Sequence, residues 1–175
     1  MLKLVTTRLR DGAWIAVALA ALGAVLGVLV AIDRQADRHL AADAERAALG
    51  WARHIAANVP DIDLVFAGDL PSPQAQERLI GLRGTAGLFR FKLYDPDGQL
   101  LVVSDSVGTA PRPEDSRPED RAKAVRAARE ETRLIELHRG GVDRPEVYSE
   151  AYVPVRHGRQ VIGVVDLQLV EGEAP

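Results

Sequence analysis

The chain contains no cysteine, which excludes a disulfide framework, a thiolate zinc site and a cysteine nucleophile. It also lacks a basic excess. Residues 1–32 hold Lys3, Arg8 and Arg10 against Asp11, so of the 22 basic and 25 acidic residues 19 and 24 fall in 33–175, a formal charge of −5. Nucleic acid calls for a basic stripe, and no nucleic-acid partner is expected of a mildly acidic domain. Catalytic signatures are missing as well, with no Gly-x-Ser-x-Gly elbow and no phosphate-cradling glycine loop. His39, His54, His138 and His157 stand far apart and show no His-x-x-x-His spacing. Asp95-Pro96-Asp97-Gly98 lacks the further acidic ligands and the downstream Glu of a calcium loop, and reads as a plain turn. No catalytic residue, metal ligand or cofactor is assigned, and the chain is expected not to be an enzyme.

One further absence has a positive meaning. Residues 13–32, AWIAVALAALGAVLGVLVAI, contain no charged or strongly polar side chain. At about 1.5 Å per residue a helix of that length is roughly 30 Å long, the thickness of a bilayer's hydrocarbon core. A cleavable signal peptide has an apolar region of only about 7–15 residues followed by a small-x-small site, and none follows Ile32. The segment is expected to be an uncleaved transmembrane helix behind a cytoplasmic tail, 1–12. Charge sets the orientation weakly, since Lys3, Arg8 and Arg10 precede the span and Arg34, Arg38 and Arg46 follow it. The short N-terminal tail favours a C-terminal domain outside the cytoplasmic membrane, periplasmic or extracellular. Within the span Ala16, Ala20, Gly23 and Gly27 share a face and include a Gly-x-x-x-Gly pair. Small residues at that spacing let helices approach closely in lipid, which predicts a homodimer in the bilayer.

Beyond the span, residues 33–59 lack proline and are rich in alanine, which predicts a membrane-proximal stalk helix. Leu40, Ala44, Ala47, Trp51, Ile55 and Val59 form its apolar stripe, which serves either a partner helix or the domain's own core. Pro60 ends it. Residues 60–75 read as loop, followed by a short helix over 74–82 capped by Ser72. The stretch 88–94 alternates, with Phe89, Phe91 and Leu93 on one face and Arg90, Lys92 and Tyr94 on the other. The Asp-Pro-Asp-Gly turn then returns a second strand over 99–104. Residues 108–118 read as a surface loop, and Ser116 with Glu119 as a capping box before a helix over 118–131. Strands are expected over 133–138, 147–156 and 160–170, the last two joined tightly at His157-Gly158. The class is α+β, with about five antiparallel strands.

FRFKLYDPDGQLLVVSD (89–105) resembles the first hairpin of extracytoplasmic PAS-like domains of the Cache group, and EVYSEAYVPVRHGRQVIGVVDLQLV (146–170) resembles their closing hairpin. The likeness spans 33–170, with the sensor domain proper over 60–170 and a tail over 171–175. It implies a long helix packed on a PAS-like antiparallel sheet, and a bacterial small-molecule sensor. Members usually precede a second membrane helix and a cytoplasmic diguanylate cyclase, phosphodiesterase, histidine kinase or chemoreceptor module. No second apolar run follows here, so the chain is expected to be either the sensor portion of a larger protein or a stand-alone anchored sensor. The alternative is a structural or scaffold envelope protein on one membrane helix.

In such a domain one sheet face packs on the long helix and the other can enclose a ligand. Arg90, Lys92 and Tyr94 would line that second face with Tyr148 and Tyr152, which alternate on a later strand. Converging cations and tyrosine hydroxyls suit a small anionic ligand such as a carboxylate. The other reading of the same residues is a solvated outer face with ordinary cross-strand pairs.

Overall fold

The structure, a computed structural model, describes residues 39–140 and 145–171. The apolar run 13–32, its residues Ala16, Ala20, Gly23 and Gly27, and the first part of the stalk lie outside them. Among the described residues no helix is long and apolar enough to cross a membrane.

Helix α1 covers 39–58 of the described residues and is followed by α2 (Ile62–Phe66) and α3 (Pro73–Leu82). Strands β1 (Leu88–Tyr94) and β2 (Leu100–Val103) come next, then α4 (Pro118–Glu130) and strands β3 (Leu134–Arg139), β4 (Val147–His157) and β5 (Gln160–Val170). All five strands form one antiparallel sheet in the order β2-β1-β5-β4-β3. The last strand of the chain is therefore its centre. Gly158 and Arg159 make the two-residue β4–β5 loop, with His157 opposite Gln160 and Gly158 at φ 62°, the left-handed geometry such hairpins need. In the β1–β2 turn the Asp95 carboxylate accepts the backbone N–H groups of Asp97 and Gln99 at 2.9 and 2.7 Å, as turn chemistry predicts.

Helices cover both faces. On one, Ala48, Ala52 and Ile55 of α1, Val59 just after it, Phe66 of α2 and Leu79 of α3 pack with Phe91, Leu93, Val153, Val165 and Leu167. On the other, Ala124, Ala127 and Ala128 of α4 pack with Tyr94, Tyr152, Leu134 and Val164. Alanine at each α4 contact lets the helix lie close to large aromatic rings on the sheet.

Four details of the sequence reading change. The buried stripe of α1 runs through Ala44, Ala48, Ala52 and Ile55 and continues to Val59 just after it. Ala47 is exposed, and Trp51 is half-buried at the edge of the core. Leu88, not Phe89, joins Phe91 and Leu93 in that core, because the β1–β5 register shifts between Leu88 and Arg90. Phe89 instead meets Tyr148 edge-on, with centroids 5.6 Å apart. The expected 60–75 loop contains α2, and the 108–118 loop contains a 3₁₀ turn, Pro113–Asp115. Finally, α4 begins at Arg117 and Pro118 with no side-chain cap, so Ser116 and Glu119 form no capping box. Proline at the first position supplies the fixed φ and needs no donor partner.

Candidate functional site

The register of the sheet gathers polar side chains beneath α4. Lys92 of β1, Asp166 of β5, Tyr152 of β4 and Leu134 of β3 are consecutive cross-strand partners in one row. The adjacent row holds Arg90, Gln168, Glu150 and Glu136. Residues two apart on a strand share a face, which adds Tyr94 beside Lys92, and Tyr148 beside Glu150. From above, α4 contributes Asp120 and Lys123. This layer is dry. Tyr94, Tyr152 and Asp166 are fully buried, and Lys92, Asp120, Glu150 and Gln168 nearly so. The solvated-face reading of Lys92, Tyr94 and Tyr152 is thereby corrected, since α4 lies over them.

Two sets of ion pairs tie α4 to the sheet. The Lys92 ammonium donates to Asp120 at 2.7 Å, with both side chains 3% exposed. Asp120 lies in the first turn of α4, where the helix dipole also favours a carboxylate. The Lys123 ammonium donates to Glu136 at 2.7 Å and Glu150 at 3.0 Å, and stands 5.6 Å from the Tyr152 ring centroid. Partial burial works against that ammonium, but the two carboxylates outweigh it and push its pKa up to about 12. Glu136, His138 and Glu150 also bring ligand atoms within 4.8 Å of one another. Lys123 already occupies the space between those carboxylates, so the group serves as an ion-pair cluster.

Against this pairing stand groups with none. Both carboxylate oxygens of Asp166, the Gln168 Oε1 and the hydroxyls of Tyr94 and Tyr152 are buried without a hydrogen-bond partner. Gln168 uses only its amide N–H, donated to Glu150 at 3.3 Å. Desolvation, followed by the neighbouring Asp166 charge, holds both tyrosine hydroxyls far above their ordinary pKa. Desolvation, then Glu150, likewise raises the Asp166 carboxyl well above the usual range. Buried polar groups are almost always satisfied in folded proteins, and each exception costs about 1–3 kcal/mol. These groups lie on one face of the sheet, on β1, β4 and β5, beneath α4.

Of the five expected ligand residues, Lys92, Tyr94 and Tyr152 line this interior. Arg90 sits at its rim, 3.3 Å from Asp105, a carboxylate shared with Arg83. Tyr148 lies at the opposite rim, stacked on His138 with ring centroids 5.1 Å apart. Asp120, Lys123, Asp166 and Gln168 were not foreseen. The last two had a signal: they interrupt the apolar run 161–170 at a spacing of two, so both fall on one face of a strand. The α4 pair carried none, because charged residues in an amphipathic helix read as its wet side.

A concavity of about 600 Å³ lies between α1 and α3, away from this layer, lined by His54, Asn58, Gln74, Glu77 and Arg78 among others. Those five side chains are exposed, so water satisfies them and the groove leaves no comparable unmet demand.

No protein-family model matches the sequence, and no curated protein matches it. Among solved structures the chain is similar to the ligand-binding domain of Mlp24 with asparagine, at 15% identity and a TM-score of 0.38. The match covers 74% of this chain and 52% of the other, so the chain spans about half the length of that structure. A likeness at that level carries no function across.

Proposed function

We propose that the chain is the sensing region of a membrane-anchored bacterial signal-transduction protein, non-enzymatic in itself, and that it binds a small molecule between its sheet and α4. The observation that carries this reading is the buried polar layer, in which Asp166, Gln168, Tyr94 and Tyr152 all hold unpartnered atoms. A scaffold has no use for it, because apolar residues of similar volume would pack the same space with greater stability. The resemblance of residues 89–105 and 146–170 to Cache-type hairpins supports a sensor, and so does a long helix packed on a five-stranded antiparallel sheet. The apolar run 13–32 supports the anchor, with residues 33–175 outside the cytoplasm and two copies associated through the membrane segment.

The test is a thermal-shift screen of small carboxylates, amino acids and amines on the full chain in detergent micelles. A ligand present at a hundred times its Kd stabilises by about 2.7 kcal/mol, and each kcal/mol moves the midpoint by roughly 2–4 °C in a chain of this size. A specific ligand should therefore give a saturable shift of several degrees that Tyr152→Phe weakens. A flat screen would favour the scaffold reading.

A further inference from the structure

We infer that the Lys92 amine and the Asp120 carboxyl condense to an intramolecular amide that fastens α4 to β1, with Asp166 carrying the protons. The ion pair described above is the state that precedes the reaction. Such a bond closes the fold whether or not a ligand enters beneath α4, and so goes beyond the ligand-site reading.

Three features single out this pair. The first is contact without water, since Lys92 Nζ lies 2.7 Å from Asp120 Oδ2 with both side chains 3% exposed. Lys123 differs, because its partner Glu136 is 45% exposed and water there favours ions over an amide. The second is that Lys92 is the nitrogen at hand. Arg117 Nε stands 4.0 Å from Asp120, its Nη1 donates to Glu119, and a guanidinium keeps its proton. The third is a spare acid. Asp166 is fully buried directly across from Lys92 in the β1–β5 register, and neither of its oxygens has a hydrogen-bond partner. Burial, with Glu150 nearby, raises its carboxyl well above the usual range, so it has one O–H to give and one oxygen free to accept.

The step balances without a co-reactant. A proton passing from Nζ to Oδ2 turns two buried charges into a neutral amine and a neutral acid, which relieves the desolvation cost of both. The amine lone pair then attacks Asp120 Cγ. As the nitrogen–carbon bond forms and a carbon–oxygen bond breaks, Asp166 gives its proton to the departing hydroxyl and takes one from the nitrogen. One water leaves, an amide N–H remains, and Asp166 ends as it began. Well-oriented groups held together in this way react as if at about 10⁵ M or more, and exclusion of water opposes the reverse hydrolysis.

Mass decides the matter. The full chain, purified in micelles and incubated, is denatured, weighed intact and then cut with trypsin. Trypsin cuts after Arg90 and Arg121 but not at Arg112-Pro113 or Arg117-Pro118, so residues 91–121 stay in one piece whenever the Lys92 amine is acylated. The expected result is a chain lighter than its sequence by one water, and a 91–121 peptide that carries this loss and is not cut after Lys92. Cyclisation at Asp97-Gly98 also expels one water, but it leaves Lys92 cleavable and persists in Lys92→Arg. The condensation should be absent from Lys92→Arg. Asp166→Asn should slow it about a hundredfold or more, the usual contribution of a positioned acid–base group, and Asp166→Ser takes its place should that chain fail to fold. A wild-type chain of full mass overturns the inference, and so does a lighter chain whose Lys92 is cut completely. Condensation of a folded Asp166 variant at the wild-type rate overturns the role given to Asp166.

Discussion

Burial, reinforced by the nearby Glu150 carboxylate, keeps Asp166 protonated in the folded chain at pH values where an ordinary aspartate has ionised. The folded state then binds more protons than the unfolded one, and stability must fall as pH rises above the ordinary value of 3.8. Asp166→Asn removes that titration. The variant should be more stable than the wild-type chain near pH 7, by about 1–3 kcal/mol, with the advantage shrinking toward pH 4. Denaturant unfolding across that range measures it, and an unchanged pH slope would show that Asp166 does not titrate in this way. Gly163, on the same strand, works through space. A Cβ there would come within 2.0 Å of the Phe66 ring and 2.7 Å of the Tyr94 carbonyl oxygen. Gly163→Ala should therefore destabilise by about 1–3 kcal/mol, the usual consequence of overpacking, and a neutral result would mean that Phe66 swings away freely. Neither role was legible in the sequence. Asp166 and Gln168 showed their shared face only by interrupting an apolar run, and a glycine shows nothing of the ring that covers it.

The elements with strong local codes were the legible ones. Alternation and an Asx turn placed β1 and β2, and the apolar run of β5 set that strand at 160–170. Helix α2 was hidden because five residues are too few for a helical period to show. It is held from outside, by Phe66 packed over Gly163 and by Asp63, 2.6 Å from His157 Nδ1. The α1 stripe was misphased because alanine at 44, 47, 48 and 52 does not say which side is buried, and only Ile55 and Val59 fix it. Helix α4 was placed correctly, yet its docking contact was invisible, since Lys92 and Asp120 lie 28 residues apart. Breaking that buried pair tests how α4 is held. Lys92→Met alone should cost up to about 3–5 kcal/mol by leaving buried Asp120 with only the Arg117 guanidinium, 4.0 Å away, and Lys92→Met with Asp120→Leu should recover most of the loss. A Lys92→Met chain of wild-type stability would mean that solvent already reaches the pair.

For the whole molecule, an anchor and a sensor make separate demands. If residues 13–32 span the membrane and 33–175 lie outside, protease added to intact spheroplasts should digest the C-terminal domain. Protection until lysis would reverse the orientation. Within the domain the sheet has two covered faces with different characters. The α1 face is an apolar core, while the α4 face mixes alanines and aromatic rings with buried charge. A small molecule entering beneath α4 would meet the two sets of ion pairs that tie this helix to β1, β3 and β4, so occupancy and the seating of α4 are coupled. Hydrogen exchange on the full chain in micelles, with and without the most strongly stabilising compound of the screen, reads that coupling directly. The ligand should slow exchange in Pro118–Glu130 and in the central parts of β4 and β5. Protection confined to the groove between α1 and α3, with α4 unchanged, would contradict a ligand site under α4.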